Sequence, residues 1–97
     1  MARVTHGRDD AIFSGPGEMP RRCREFDWAS TALGAVAQWP DSLKTTVSTL
    51  LASRQPMFLW WGHDLVQIYN DAYRPSLGVD HHPAALGAHG RAFFAEI

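Results

Sequence analysis

Met57-Phe58-Leu59-Trp60-Trp61 is an unbroken apolar run held between Pro56 and Gly62. It has the length of a strand rather than a helix, and the flanking proline and glycine punctuate both ends. Because the run does not alternate with polar residues, it predicts a strand covered on both faces. Gly62-His63-Asp64 reads as a turn and Leu65-Val66-Gln67-Ile68-Tyr69 as a second strand, which together make an antiparallel hairpin. The loop length then decides which side chains share a face. A three-residue loop sets Trp61 opposite Leu65 and puts Phe58, Trp60, Val66 and Ile68 on one face. Met57, Leu59, Trp61, Leu65, Gln67 and Tyr69 take the other, and a two-residue loop exchanges the faces of the first strand. A lone hairpin is marginal in water, and a strand apolar on both faces wants a neighbour on each side. The expectation is that strands after Ile97, or strands from another chain, complete the sheet.

The elements around the hairpin follow from spacing and punctuation. Residues 1–17 are polar and broken by Ser14-Gly15-Pro16-Gly17, and they read as a flexible leader. A short helix is predicted from Glu18, with Pro20 in its first turn and Met19, Cys23 and Phe26 along one face. Asp27 to Trp39 reads as an ordered connector pinned by Trp28 and Trp39, because large aromatics are costly to leave in water. A better helix starts at Pro40-Asp41 and ends near Ser53-Arg54-Gln55, with Leu43, Val47, Leu50 and Leu51 as its apolar stripe. That stripe serves either as a lid on the chain's own sheet or as a seam between two copies. After the hairpin, Asn70 suits the cap of a helix over Asp71–Leu77, with Gly78 as the stop. His81-His82-Pro83 breaks the chain, Pro83-Ala84-Ala85-Leu86 forms a turn, and a further helix begins after Gly90. The predicted class is α+β, divided into a leader (1–17), a helical extension (18–55) and the hairpin with its short helices (56–97).

Composition excludes several function classes. The 97 residues carry nine Lys+Arg against ten Asp+Glu, a formal net charge of -1, so no basic surface speaks for nucleic acid. No signal-peptide core opens the chain and no apolar stretch is long enough to span a membrane, so the expected compartment is the cytosol. The single cysteine, Cys23, forms no intrachain disulfide and reads as a small core residue rather than a reactive thiol. His63, Asp64, Asp80, His81, His82 and His89 hold enough donors for zinc, yet they lack a ligand spacing, and no metal is expected. No nucleophile elbow, phosphate loop or nucleophile–base spacing appears, so no catalytic residue is assigned.

Taken in order, a set of short segments resembles the N-terminal region and first half of a PAS domain of bacterial sensor histidine kinases. They are Asp27-Trp28, Thr31-Ala32-Leu33-Gly34, Trp39-Pro40, Ser42-Leu43, Ser53-Arg54-Gln55-Pro56-Met57-Phe58 and Trp61-Gly62. Tyr69-Asn70-Asp71-Ala72-Tyr73, Leu77-Gly78 and His82-Pro83-Ala84-Ala85-Leu86-Gly87 complete the match. The resemblance implies an incomplete PAS-like fold, with 57–61 and 65–69 as the first two sheet strands and three more to follow. It implies a signal-sensing input module of a two-component phosphorelay, non-catalytic by itself, whose kinase chemistry would belong to other sequence. The space between sheet and short helices would take a small-molecule ligand, with Phe58, Trp60, Ile68, Asn70, Tyr73, Leu77 and Leu86 as candidate contacts. No cofactor is specified: the flavin-photosensor cysteine is missing from 71–97, and His89 alone is a poor haem ligand. The expected partners are a second copy of the chain or kinase domains of the same chain. The competing reading is a protein–protein interaction or dimerisation module without a small ligand.

Overall fold

A computed structural model describes residues 11–95. From Glu18 on, helices and one hairpin run in the order α1 (Glu18–Glu25), α2 (Asp41–Ala52), β1 (Phe58–Trp61), β2 (Val66–Tyr69), α3 (Arg74–Leu77) and α4 (Gly90–Ala95). Single 3-10 turns occupy Trp28–Ser30, Val36–Gln38 and Asp71–Tyr73. The class is α+β, as the apolar periodicities predict.

Glu18 sits in the first turn of α1 and Arg22 and Arg24 in its last, each matching the sign of the helix dipole. Met19, Pro20 and Cys23 form the buried face, and the helix stops one residue short of Phe26, whose backbone turns extended. α2 buries Leu43, Val47, Leu50 and Leu51 and packs on β2. The stripe is therefore a lid on the chain's own core rather than a seam between copies. Burial of each such aliphatic side chain is worth about 1.5–3 kcal/mol, so this helix is held by packing more than by propensity.

The connector is pinned as expected. Trp28 and Trp39 meet edge to face at 5.4 Å, and their indole N–H groups donate to the carbonyls of Cys23 and Gly34, both at 2.9 Å. Phe13 joins them, with ring centroids 6.3 Å from Trp28 and 5.8 Å from Trp39. Within the stretch expected as a flexible leader, Phe13 is a core residue, and the Arg24 guanidinium ties its carbonyl at 2.6 Å. The rest of the expected leader, residues 1–10, lies outside the described residues. One core runs from Phe13 to Leu86, across the expected boundary at 55/56.

The hairpin forms, but its register differs from the three-residue-loop expectation. Phe58 pairs with Tyr69, Leu59 with Ile68, Trp60 with Gln67 and Trp61 with Val66. The loop is Gly62-His63-Asp64-Leu65, closed by the Leu65 N–H donating to the Gly62 carbonyl at 3.1 Å. Gly62 (φ 79°) and Leu65 (φ 53°) both adopt left-handed backbone there. A slip of one residue exchanges faces. Phe58 and Trp60 therefore share a side with Gln67 and Tyr69, while Ile68 points the other way with Leu59, Trp61 and Val66.

Cover is corrected too. β2 is the strand buried at every position, whereas β1 is half-covered and Trp60 is 49% exposed. The cause lies beyond β2. Residues 87–90 return along its other side: Gly87 N–H donates to Gln67 O at 2.8 Å, Gln67 N–H to Ala88 O at 3.0 Å and Gly90 N–H to Leu65 O at 2.7 Å. β2 is thereby flanked on both edges, although among the described residues the sheet itself has only β1 and β2.

Candidate functional site

Asn70 stands where β2 ends and the helical crossover begins. Its Oδ1 accepts the N–H of Tyr73 at 3.1 Å, so Asn70 is a cap as expected, but of a 3-10 turn over Asp71–Tyr73 that precedes the short α3 rather than of one helix over Asp71–Leu77. It also accepts the N–H of Met57 at 3.1 Å. Its Nδ2 faces the carbonyls of Gln55 (2.7 Å), Leu50 (3.0 Å) and Ser53 (3.4 Å). One fully buried amide thus clasps the end of α2, the entry to β1 and the start of the crossover.

Beside it lies an aromatic face. Phe58 stacks on Tyr69 (5.8 Å, 6° between planes), tilts against Tyr73 at 4.9 Å and meets Trp60 edge to face at 5.7 Å. Gln67, buried on the same face, accepts from Trp60 Nε1 at 3.0 Å and donates through Nε2 to the Ala85 carbonyl at 2.9 Å. Of the residues proposed from sequence, Phe58, Trp60 and Tyr73 come together here, with Asn70 at the margin. Ile68 does not join them, because the register turns it to the opposite face. Leu77 and Leu86 are buried members of the core. Leu86 also reaches the wall of a cleft of about 280 Å³ that it shares with Arg22, Glu25, Phe26 and Pro83.

A polar cluster closes the far side of Tyr69. Glu18 accepts hydrogen bonds from Arg22 Nε (2.6 Å), Arg74 Nη1 (2.7 Å) and His82 Nε2 (2.7 Å). The other ring nitrogen of His82, Nδ1, lies 2.7 Å from the Tyr69 hydroxyl. Arg74 Nε is 3.2 Å from Asp71 Oδ1, an ion-pair distance without hydrogen-bond alignment, so this buried N–H is left without an aligned acceptor. Asp71 Oδ1 in turn accepts the Met19 N–H at 3.1 Å. The His82 and Arg22 hydrogen bonds, helped by the positive charges of Arg74 and Arg22, hold the Glu18 carboxyl at about 2 against some opposition from burial. Burial pushes the Tyr69 phenol up to about 12, so its hydroxyl stays protonated where it meets His82 Nδ1, while the opposite ring nitrogen, Nε2, meets the Glu18 carboxylate. Burial likewise pushes the Cys23 thiol up to about 12, the state of an inert core cysteine.

Sequence reasoning missed Glu18, His82, Arg74 and Gln67. Glu18 and His82 are 64 positions apart, and no local periodicity links them. Gln67 carried one available signal, a lone amide within an otherwise apolar strand. The carboxylate–imidazole–hydroxyl order resembles a nucleophile relay. Its hydroxyl is buried, and burial holds the phenol well above the usual tyrosine range. Among the described residues no group of three or more His, Cys, Asp or Glu side chains converges as metal ligands would. No described helix is long and apolar enough to cross a membrane. Comparison with protein-family models, with curated proteins and with solved structures finds no match to this chain.

Proposed function

We propose that this chain is the input portion of a PAS-like signal-sensing domain of a bacterial two-component sensor histidine kinase, non-catalytic by itself. The observation that carries the reading is the aromatic face of the hairpin, roofed by a crossover that leaves β2 at Asn70 and returns along the same strand at 87–90. A small apolar ligand, or strain applied at that face, shifts the packing of the crossover and of the helices that precede the hairpin. Phe58, Trp60 and Tyr73 are the contacts, and Asn70 is the hinge that aligns them. The downstream output is phosphotransfer by kinase domains of the same protein.

A second reading, an interaction or dimerisation module, draws on Trp60, a large aromatic half exposed on β1. One thermal-unfolding experiment on the purified chain separates the two. The sensory reading expects at least one compound of a small apolar metabolite panel to raise the melting temperature progressively. Stabilisation reaches about 2.7 kcal/mol at a ligand concentration 100 times Kd, and the effect weakens in Tyr73→Ala. Melting that ignores every compound but rises with protein concentration overturns it in favour of dimerisation.

A further inference from the structure

We propose that Glu18 is a latch that couples α1 to the aromatic face of the hairpin through the imidazole of His82. The purpose of such a latch rests on the sensory reading; its geometry does not. Direct contacts run without a gap from Phe58, stacked on Tyr69 at 5.8 Å, to the Tyr69 hydroxyl on His82 Nδ1 and His82 Nε2 on Glu18, each at 2.7 Å. The imidazole is a rigid ring with its two nitrogens pointing apart, so displacement of Tyr69 along β2 strains both bonds together. Glu18 is also where α3 is held, through Arg74 at 2.7 Å, and where α1 is held to itself, through Arg22 at 2.6 Å. One carboxylate therefore fastens α1, α3 and the segment around His82.

The latch is built to open. The side chains of Glu18, Arg22 and Arg74 are 25%, 34% and 37% exposed, so water replaces each bond as it breaks. A cleft of about 380 Å³ lined by Arg74, Pro75, Gly78, Val79 and His82 adjoins it and gives the imidazole room to turn. The Glu18 carboxyl, held at about 2, stays ionised at neutral pH and keeps all three contacts charge-assisted or ion-dipole in character. Tyr69 is fully buried, so its hydroxyl reaches α1 through His82, beside the separate bond from Asp71 Oδ1 to the Met19 N–H.

Amide hydrogen exchange on the full chain without ligand tests the coupling, with Tyr69→Phe, Glu18→Gln and the double variant. Tyr69→Phe keeps the ring and its stacking and deletes only the hydroxyl. Loss of one hydrogen bond raises opening about three- to tenfold. The expected result is faster exchange by that factor in the amides of α1 in Tyr69→Phe, a rise at least as large in Glu18→Gln, whose carboxylate serves three partners, and no rise in the double variant beyond that of Glu18→Gln. The amides of Leu43 to Leu51 in α2 stay unchanged. Three results overturn the proposal: α1 exchange that ignores Tyr69→Phe, a double variant in which the two effects multiply, or α1 and α2 loosening together. If Glu18→Gln does not fold, Glu18→Asp keeps the charge, shortens the arm and is expected to loosen α1 selectively. Because no ligand is present, failure here leaves the thermal-shift test of the sensory reading standing, and the reverse also holds.

Discussion

At the scale of single residues, Asn70 separates an ordinary helix cap from something more demanding. A cap needs only an acceptor, and Asp serves in that role about as well as Asn. Here the same side chain also presents Nδ2 to the carbonyls of Gln55 and Leu50 at 2.7 and 3.0 Å, in a site closed to water. Asn70→Ala removes the acceptor of the Met57 N–H and the donor to the Gln55 carbonyl. The Tyr73 N–H keeps the Asn70 carbonyl, and the Leu50 carbonyl keeps the Ser53 N–H. A group left unpaired costs about 1–3 kcal/mol. The expected loss in urea-unfolding free energy is about 2–4 kcal/mol. Asn70→Asp is the sharper experiment. It keeps the acceptor toward Tyr73 and Met57 but sets a carboxylate against carbonyl oxygens, so its loss should match that of Asn70→Ala. A variant within about 0.5 kcal/mol of the parent would reduce Asn70 to a simple cap.

Among the elements, β2 holds the structure together because both its edges are engaged, and Gln67 carries that engagement through its side chain as well as its backbone. Gln67→Leu keeps the volume while removing one of the two donors to the Ala85 carbonyl, which retains the Ala88 N–H at 3.2 Å, and the acceptor of the Trp60 indole. Trp60 is half exposed and recovers water, so the cost is mainly that of the one hydrogen bond lost at Ala85, about 0.5–1.5 kcal/mol. Exchange of the Gly87 amide, which donates to the Gln67 carbonyl, is expected to quicken as the return segment loosens. Unchanged Gly87 protection would show that the backbone pairing stands without the side chain. These elements also mark what the sequence made legible. The α2 stripe, the hairpin and the Asn70 cap were readable because each is encoded by residues fewer than a dozen positions apart. The register was not, since it turned on Leu65 accepting a left-handed backbone, which a bulky residue seldom does. The cover of β2 was not either, because residues 87–90 reach it from some twenty positions away, and the apolar run of β1 pointed to the wrong strand as the buried one. The single Phe13 gave no period to detect, and it proved to be core.

Across the whole molecule, one carboxylate joins parts of the chain that lie 56 and 64 residues apart, from α1 to Arg74 and to His82. That makes acid a probe of the tertiary fold. The Glu18 carboxyl falls from its ordinary 4.5 to about 2 on folding, so the folded state resists the proton that the unfolded chain accepts. Stability from this group is therefore fully present above pH 4.5 and drains away as pH falls through the interval down to about 2. Glu18→Gln cannot titrate. It is expected to be less stable than the parent at neutral pH, and to lose less stability than the parent between pH 4.5 and 2, so that the two profiles converge in acid. Because the ion pairs are partly exposed, salt near 1 M, where the screening length is only about 3 Å, should narrow their difference at neutral pH. Urea unfolding followed at a series of pH values decides the matter. Parallel profiles for parent and variant would mean that the proton released on folding comes from elsewhere, and that Glu18 does not tie the two ends of the fold together.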